Sequence, residues 1–349
     1  MAENNYHDQV SKENIKRLRN LIDQLPNFCR TYFIGIQEHT APRTRLGYAY
    51  DLLVFFKYLH TENPACAKME INDFPLTLLD QIKRQDIEEY LNYVSYYEKE
   101  GKEITNDERG KARKLSALKS LYNYFYKSEQ ITTNPASLVQ APKLHEKQIV
   151  RLEPNEVAKL LDLVEYGENL TEKERTYHNK TRVRDTALLT LLLGTGMRVS
   201  ECVGIDLKHI DFETGGILVR RKGGNEAIIY FGDEVECALL DYMEERKHIL
   251  PKAGHEEAFF LSMQNTRISV RAVEKLVKKY ASKVTTLKKI TPHKLRSTYG
   301  TTLYNETGDI YLVADVLGHK DVNTTRKHYA NQDEDRKRRA ANIVKLREY

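Results

Sequence analysis

The chain has 349 residues, which is enough for about two domains that each bury a core. Charged residues make up 30% of it and the formal net charge is +5, a mild basic excess that only weakly indicates a nucleic-acid partner. The 4 cysteines are scattered without a C-x-x-C pair, there is no apolar signal region at the start, and the longest apolar run (187–193) is too short for a bilayer. We therefore expect a cytoplasmic protein with reduced thiols.

Helical periodicity dominates the first 140 residues. Residues 1–26 are polar and form a flanking segment with some helical character. From residue 27 the pattern predicts a helical bundle, with apolar residues three and four apart in 44–60, a helix over 86–98 and a basic amphipathic helix over 109–127. The simplest interpretation of the basic residues on that helix is that they form a solvated face without a binding role.

Residues 141–151, which include Pro142, are expected to link this bundle to a second domain over 152–349. The second domain is predicted to begin with a helix near Pro154, followed by an exposed polar loop over 165–182. Two β-rich runs flank a glycine-containing turn at 222–225, which is typical of a hairpin. The stretch 234–279 is predicted to be helical.

The first motif of the second domain is L-L-L-G-T-G-M-R-V-S-E, residues 191–201. Its pattern predicts an apolar helix that breaks at Gly194, a tight turn at Gly196 and a new start at Arg198. Arg198 and Glu201 are three apart and can pair, which would hold the guanidinium in one rotamer. A planar guanidinium donates two parallel hydrogen bonds and therefore suits phosphate.

The second motif lies in residues 289–329. Thr291 and Pro292 are typical of a helix start, and His293 and Arg296 then share one face of that helix. A short helix over 312–317 is expected to end at Gly318, followed by His319 and, ten residues later, Tyr329.

Each element of this pattern has a bland interpretation when it is taken alone. An arginine on a helix is usually solvated, His319 after a glycine is as easily a polar cap, and any one of 22 tyrosines is most often a packing residue. The joint pattern of two guanidiniums, two imidazoles and a phenol points instead to chemistry on a phosphodiester.

These boxes, in this order, resemble the tyrosine site-specific recombinases of the phage integrase family, and the Xer group in particular. The resemblance implies a mainly α fold with a small antiparallel β-sheet, arranged as a C-shaped two-domain DNA clamp. In that fold 27–140 is a helical core-binding domain and 152–349 is the catalytic domain, with a C-terminal docking helix. Recombinases of this kind use no metal and no ATP.

The resemblance also implies a role for each site residue. Tyr329 is the nucleophile that forms a 3′-phosphotyrosine, and Lys222 is the general acid for the departing 5′-oxygen. The other residues surround the phosphate: Arg198, His293, Arg296 and His319, with Glu201 orienting Arg198 and His293. The ten-residue spacing from His319 to Tyr329 is one longer than the commonest family spacing.

Double-stranded core-site DNA is the implied partner, with four protomers assembling on two sites and a possible sister recombinase or activator. The basic side chains that we predict to contact DNA are Arg43, Arg45, Lys111, Arg113, Lys114, Lys119, Arg267 and Arg271. Two alternatives stay open: type IB topoisomerase-like relaxation, and a non-catalytic site-specific DNA-binding protein. The sequence also leaves open whether the role is chromosome dimer resolution or integration of a mobile element.

Overall fold

The computed structural model describes residues 6–99, 101–145, 149–221, 224–319, 321–323 and 325. The chain divides into two compact units, Met1–Lys147 and Gln148–Tyr349. Both are mostly helical and each contains a small antiparallel sheet, which confirms the predicted fold class. Among the described residues, no helix is both long and apolar enough to cross a lipid bilayer.

The first unit is a helical bundle with one hairpin. The strands β1 (Tyr96–Lys99) and β2 (Lys102–Thr105) pair antiparallel, so the predicted 86–98 helix ends earlier than expected. The helices are α1 (Tyr6–Ile22), α2 (Cys29–Gly35), α3 (Pro42–Glu62), α4 (Leu78–Gln81), α5 (Arg84–Tyr93), α6 (Glu108–Lys127) and α7 (Pro135–Leu138).

The core of the first unit is aromatic and centres on α3, which packs against α1 and α6. Phe55 and Phe56 of α3 are fully buried, as are Tyr122 and Phe125 of α6. Their rings meet neighbouring rings edge to face, the arrangement that aromatic quadrupoles favour. The three- and four-residue spacing of these apolar positions places them on one side of each helix.

The second unit surrounds a long helix with shorter ones and a three-stranded antiparallel sheet of order β3-β4-β5. The strands are β3 (Ile210–Asp211), β4 (Gly216–Arg220) and β5 (Glu226–Tyr230), and the β4–β5 pair is the predicted hairpin. The helices are α8 (Pro154–Tyr166), α9 (Glu172–Thr195), α10 (Val199–Cys202), α11 (Asp233–Lys247), α12 (Val270–Val284), α13 (Pro292–Thr307) and α14 (Ile310–Leu317).

The predicted exposed loop at 165–182 is wrong, because most of this stretch is the first half of α9. Thr171 and Glu174 form a capping box: the Thr171 hydroxyl accepts from the Glu174 amide, and the Glu174 carboxylate accepts from the Thr171 amide at 3.0 Å. Lys283 also donates to Glu174, at 2.8 Å. These hydrogen bonds, the one from Lys283 foremost, lower the pKa of Glu174 to about 2.

The expected helix over 234–279 is also wrong in its middle. Helix α11 ends at Lys247 and α12 begins at Val270. The irregular chain between them contains Pro251, which removes a backbone donor, and it buries Phe259 and Phe260 in the core. Arg246 ties this segment down by donating to the carbonyls of Glu256 and Ala258 at 2.9 and 3.1 Å.

Removing the Thr171 hydroxyl should loosen the start of α9. Thr171→Ala takes away the N-cap oxygen, a loss of about 1 kcal/mol. We expect about fivefold faster hydrogen–deuterium exchange of the first-turn amides, measured by mass spectrometry. The matched control is Thr176→Ala, an exposed position inside the same helix, where alanine is the better helix former. Equal acceleration in both variants would contradict the capping role.

Candidate active site

Arg296 lies at the centre of the candidate site although only 5% of it is exposed. It is in the second turn of α13, the helix that begins at Pro292 after Thr291 as the sequence predicts. Its Nη1 donates to the carbonyl of Gly196 at 2.7 Å and its Nη2 donates to the carbonyl of Leu317. His293, one turn earlier on α13, is exposed. The buried guanidinium thus links the end of α9 to the end of α14.

Gly196 makes the tight turn between α9 and α10 that carries this carbonyl. Its φ is +62°, in the left-handed region that L side chains rarely adopt. A Cβ at this position would overlap the ring of Tyr299, and it would stand 3.0 Å from Leu317. Glycine is therefore required here by both the backbone angle and the space available.

Arg198 follows directly and has the ion pair that its spacing predicts. Its Nη1 is 2.8 Å from Oε1 of Glu201, while its backbone amide donates to Oε2 of the same carboxylate at 2.8 Å. Its Nη2 donates to the carbonyl of Gly318 at 3.1 Å. The Glu201 side chain is only 3% exposed and that of Arg198 is 35% exposed. A buried carboxylate therefore holds a guanidinium that remains open to solvent.

Gly318 ends α14 in the left-handed conformation, with φ of +62°, as predicted. His319 begins where this turn ends, and its amide donates to the carbonyl of Ala314 at 2.9 Å. The His319 Nδ1 lies 2.7 Å from the hydroxyl of Thr325, a residue that is 0% exposed. If Thr325 donates this hydrogen bond, the Nε2 of His319 carries the hydrogen and is a donor.

Arg221 is a further cation of this site that the sequence reasoning missed. Its Nη2 donates to the carbonyl of Val316 at 3.2 Å. Three arginines thus donate to three consecutive carbonyls, those of Val316, Leu317 and Gly318. The sequence signal for Arg221 is its place in the basic run R-R-K at the end of a predicted strand, directly before Lys222.

An open cavity of about 560 Å³ lies against this helix end. Arg198, Arg221 and His319 line it, with acidic groups from Glu226, Asp315 and Asp321. The guanidinium of Arg198 and the imidazole of His319 on one cavity are groups that suit a phosphate oxyanion, whereas Arg221 is bonded to the helix end. Within the described ranges, no group of three or more His, Cys, Asp or Glu side chains is placed to hold a metal ion. Lys222 and Tyr329 lie outside the described residues.

Three of the basic residues that were predicted to contact DNA are engaged inside their own unit. Arg45 is 7% exposed, and Lys114 is 4% exposed and lies 3.3 Å from the buried carboxylate of Asp51. Arg267 pairs with Asp206 and donates to the carbonyl of Ile205 at 2.9 Å. Since these side chains already hold internal partners or are covered, they support the fold rather than offer a surface charge.

The other five basic candidates reach the surface to different degrees. Arg43 is exposed, and Arg113 is 54% exposed although its Nη1 lies 2.5 Å from Asp51. Lys111 and Lys119 are half-buried on α6. Arg271, at the start of α12, is 77% exposed and lies 3.3 Å from Glu274. Exposed cations of this kind are available to phosphate groups.

Replacing Gly196 should cost more than the left-handed backbone alone explains. Gly196→Ala combines about 1–2 kcal/mol for the positive φ with about 1–3 kcal/mol of overpacking against Tyr299. Gly254→Ala is the matched control, because its φ is +83° but, apart from its chain neighbours, no heavy atom of the part of the chain that the structure describes lies within 4 Å of the added Cβ. We expect thermal unfolding to show a clearly larger drop in Tm for Gly196→Ala. Equal drops in Tm would show that the Tyr299 ring moves aside without a loss of stability.

Sequence comparison with known proteins identifies the family of this chain. The model of the phage integrase family matches residues 150–336. The tyrosine recombinase XerC of Caldanaerobacter subterraneus subsp. tengcongensis is 32% identical over 322 residues, covering 89% of this chain and 84% of that protein. The tyrosine recombinase XerD of Staphylococcus epidermidis is 29% identical over 294 residues, covering 84% of this chain and 90% of that protein.

Solved structures have the same fold. The XerH site-specific recombinase bound to difH substrate, in a pre-cleavage complex, matches with a TM-score of 0.61 at 22% identity, covering 85% of this chain and 80% of that one. The Tn1549 transposon integrase in complex with circular intermediate DNA matches with a TM-score of 0.63 at 22% identity, covering 92% and 100%. The chain therefore belongs to the phage integrase family and is a tyrosine recombinase, an enzyme that cleaves and rejoins DNA strands in site-specific recombination.

Proposed function

We propose that this chain recombines duplex DNA sites in the manner of the Xer recombinases, through attack of Tyr329 on a phosphodiester. The observation that carries the proposal is the cavity at the end of α14. Arg198 and His319 both line it, and the buried Arg296 is bonded to the same helix end. Cationic donors fixed before substrate arrives stabilise the charge that develops on phosphorus without further reorganisation.

The first chemical step forms one bond and breaks another. The phenolic oxygen of Tyr329 bonds to phosphorus, the bond from phosphorus to the 5′-oxygen breaks, and its electron pair leaves with that oxygen. A phenol has a pKa of about 10, so its ionisation at pH 7 costs about 4 kcal/mol. Nearby guanidiniums offset this cost by stabilising negative charge on both the phenolate and the phosphate.

Arg198 is the guanidinium best suited to contact the phosphate. It is partly exposed and lines the cavity, and Glu201 holds it from behind. Arg296 is covered and bonded to two carbonyls, so it supports the turn that carries Arg198. A direct contact between Arg296 and the phosphate remains a prediction from the family.

Proton transfers are assigned to the remaining groups. Lys222 would give its proton to the departing 5′-oxygen, and His293 would assist proton transfer from the hydroxyl of Tyr329. His319 would donate a hydrogen bond to a non-bridging oxygen, a role supported by its place on the cavity and by the Thr325 contact that orients its ring. A 5′-hydroxyl of the partner duplex then attacks the phosphotyrosine, which releases Tyr329 and reseals the strand.

Because the covalent link keeps the phosphodiester bond energy, neither ATP nor a metal enters this scheme. If the cleaved strand rotated and its original 5′-hydroxyl then attacked the phosphotyrosine, the same chemistry would relax supercoils. The relatives whose names identify them as recombinases support exchange with a partner strand. Dimer resolution and mobile-element integration both remain compatible with this chemistry.

Both units would contact the DNA, with residues 27–140 as the core-binding domain and 152–349 as the catalytic domain. Exposed Arg43 and Arg113 in the first unit and Arg271 in the second are the favoured phosphate contacts, and Lys111 and Lys119 lie on α6 as Arg113 does. Assembly would be a tetramer on two sites, and the C-terminal docking helix that the family resemblance implies lies outside the described residues. A sister recombinase or activator fits the Xer relationship, as does action on cytoplasmic DNA.

Changing the nucleophile should abolish covalent capture of DNA. Wild-type protein is incubated with fragmented host DNA, stopped with SDS, and the trapped fragments are sequenced while the modified peptide is identified by mass spectrometry. We expect adducts on Tyr329 with wild type and none with Tyr329→Phe. The control Tyr311→Phe, at an exposed tyrosine of α14, should keep them. Adducts that persist in Tyr329→Phe, or none with wild type, would contradict the proposal.

Neutralising a phosphate contact should change the salt dependence of binding. For Arg43→Gln on the site found by capture, we expect the slope of log K against log salt to become shallower by about 1. Arg84→Gln is the control, since this exposed arginine is paired with Glu88 at 2.7 Å. The measurement is fluorescence anisotropy over a salt series. An unchanged slope for Arg43→Gln would remove Arg43 from the DNA surface, and the same change for Arg84→Gln would show that loss of any exposed charge, and not of a phosphate contact, alters the slope.

A further inference from the structure

Arg221 has no part in the reaction as proposed so far, yet it joins two segments of the site. Its backbone closes the β4–β5 hairpin: its amide donates to the carbonyl of Asn225 at 2.7 Å, and its carbonyl accepts from the Gly224 amide at 3.1 Å. Its side chain crosses to α14 and donates to the carbonyl of Val316. One residue thus fixes the hairpin end to the helix end.

The contact between Arg221 and the helix end is close. A Cβ at Gly318 would overlap the Arg221 guanidinium, so the guanidinium lies directly over the glycine. The Nε of Arg221 is buried and finds no hydrogen-bond partner among the described residues, which costs about 1–3 kcal/mol. The side chain holds this position in spite of that cost, which indicates that the surrounding contacts define it.

The turn that Arg221 contacts is the one from which His319 begins. Arg198 and Arg296 hold the neighbouring carbonyls of the same turn. On the other side, β4 is the central strand of its sheet and pairs with β5 along its whole length. Arg221 therefore connects the paired strands β4 and β5 to the wall of the cavity.

We propose that Arg221 is a positioning residue that holds the hairpin against the His319 turn, and so sets where Lys222, the next residue in the chain, delivers its proton. This inference rests on the proposed function, in which Lys222 is the general acid. Arg221 acts through its neighbours: its guanidinium is occupied by α14, so its contribution is the placement of the acid.

A sulfur substitution separates this role from binding of the phosphate. With ordinary DNA the electron pair of the broken bond goes to the 5′-oxygen, which takes a proton from the Lys222 ammonium. With sulfur at the 5′-bridging position the pair goes to sulfur, and because a thiol has a pKa of about 8.5 it leaves as a thiolate without a proton. A variant that misplaces only the acid is therefore slow on oxygen and normal on sulfur.

The experiment measures single-turnover cleavage of both substrates by the full-length protein. For Arg221→Met we expect cleavage of the oxygen substrate to fall on the order of 10- to 100-fold, a part of what a general acid contributes, with the sulfur substrate unchanged. Arg220→Met is the matched control one residue earlier and should keep the wild-type ratio of the two rates. Arg221→Gln, which retains a donor for Val316, should show a smaller defect of the same kind.

Equal slowing of both substrates by Arg221→Met, or no slowing of either, would overturn the inference. Lys222→Ala and Tyr329→Phe separate this result from a failure of the proposed function. If sulfur rescues Lys222→Ala but not Arg221→Met, only the role of Arg221 is wrong. If the sulfur substrate does not rescue Lys222→Ala, Lys222 is not the general acid, and the inference about Arg221 is then wrong as well. Cleavage by Tyr329→Phe would reject the nucleophile itself.

Discussion

The C-terminal end of α14 is the point on which the rest of the candidate site depends. The last carbonyls of a helix have no intrahelical partner, and together they carry a partial negative charge. Here Arg221, Arg296 and Arg198 donate to three such carbonyls in succession, which satisfies the acceptors and neutralises the charge. Because the three arginines come from the hairpin, from α13 and from the start of α10, one helix end fixes all three segments.

Two glycines allow the cations to come this close. At Gly196 and at Gly318 the chain turns through positive φ, and at each a side chain would overlap a neighbour. The turn at Gly196 aims its carbonyl at Arg296, which is needed because a buried cation is stable only when hydrogen bonds replace water. Burial of Arg296 and the left-handed turn at Gly196 are thus two parts of one arrangement.

The same arrangement supports the proposed phosphodiester site, because partners within the chain hold its cations. Backbone carbonyls and the Glu201 carboxylate hold the arginine side chains in place, so the positive charge of the guanidiniums stays at the site. The first unit uses its cations differently: Asp51 is buried between Arg113 and Lys114, and burial raises the pKa of this carboxyl in spite of both neighbours. Of that pair only Arg113 keeps an exposed side chain.

Local signals in the chain were enough to predict much of this protein. Thr291-Pro292 at a helix start, Gly318 at a helix end, the β4–β5 hairpin and the pairing of Arg198 with Glu201 each depend on residues a few positions apart. The capping box at Thr171 was equally local, and it was overlooked because the segment is so polar. The burial of Arg45 and Lys114, the ion pair between Arg267 and Asp206, the buried chain after α11, and the reach of Arg221 to Val316 had no local signal. They follow from contacts between residues far apart in sequence, and only packing in three dimensions determines which cation is covered and which faces the cavity.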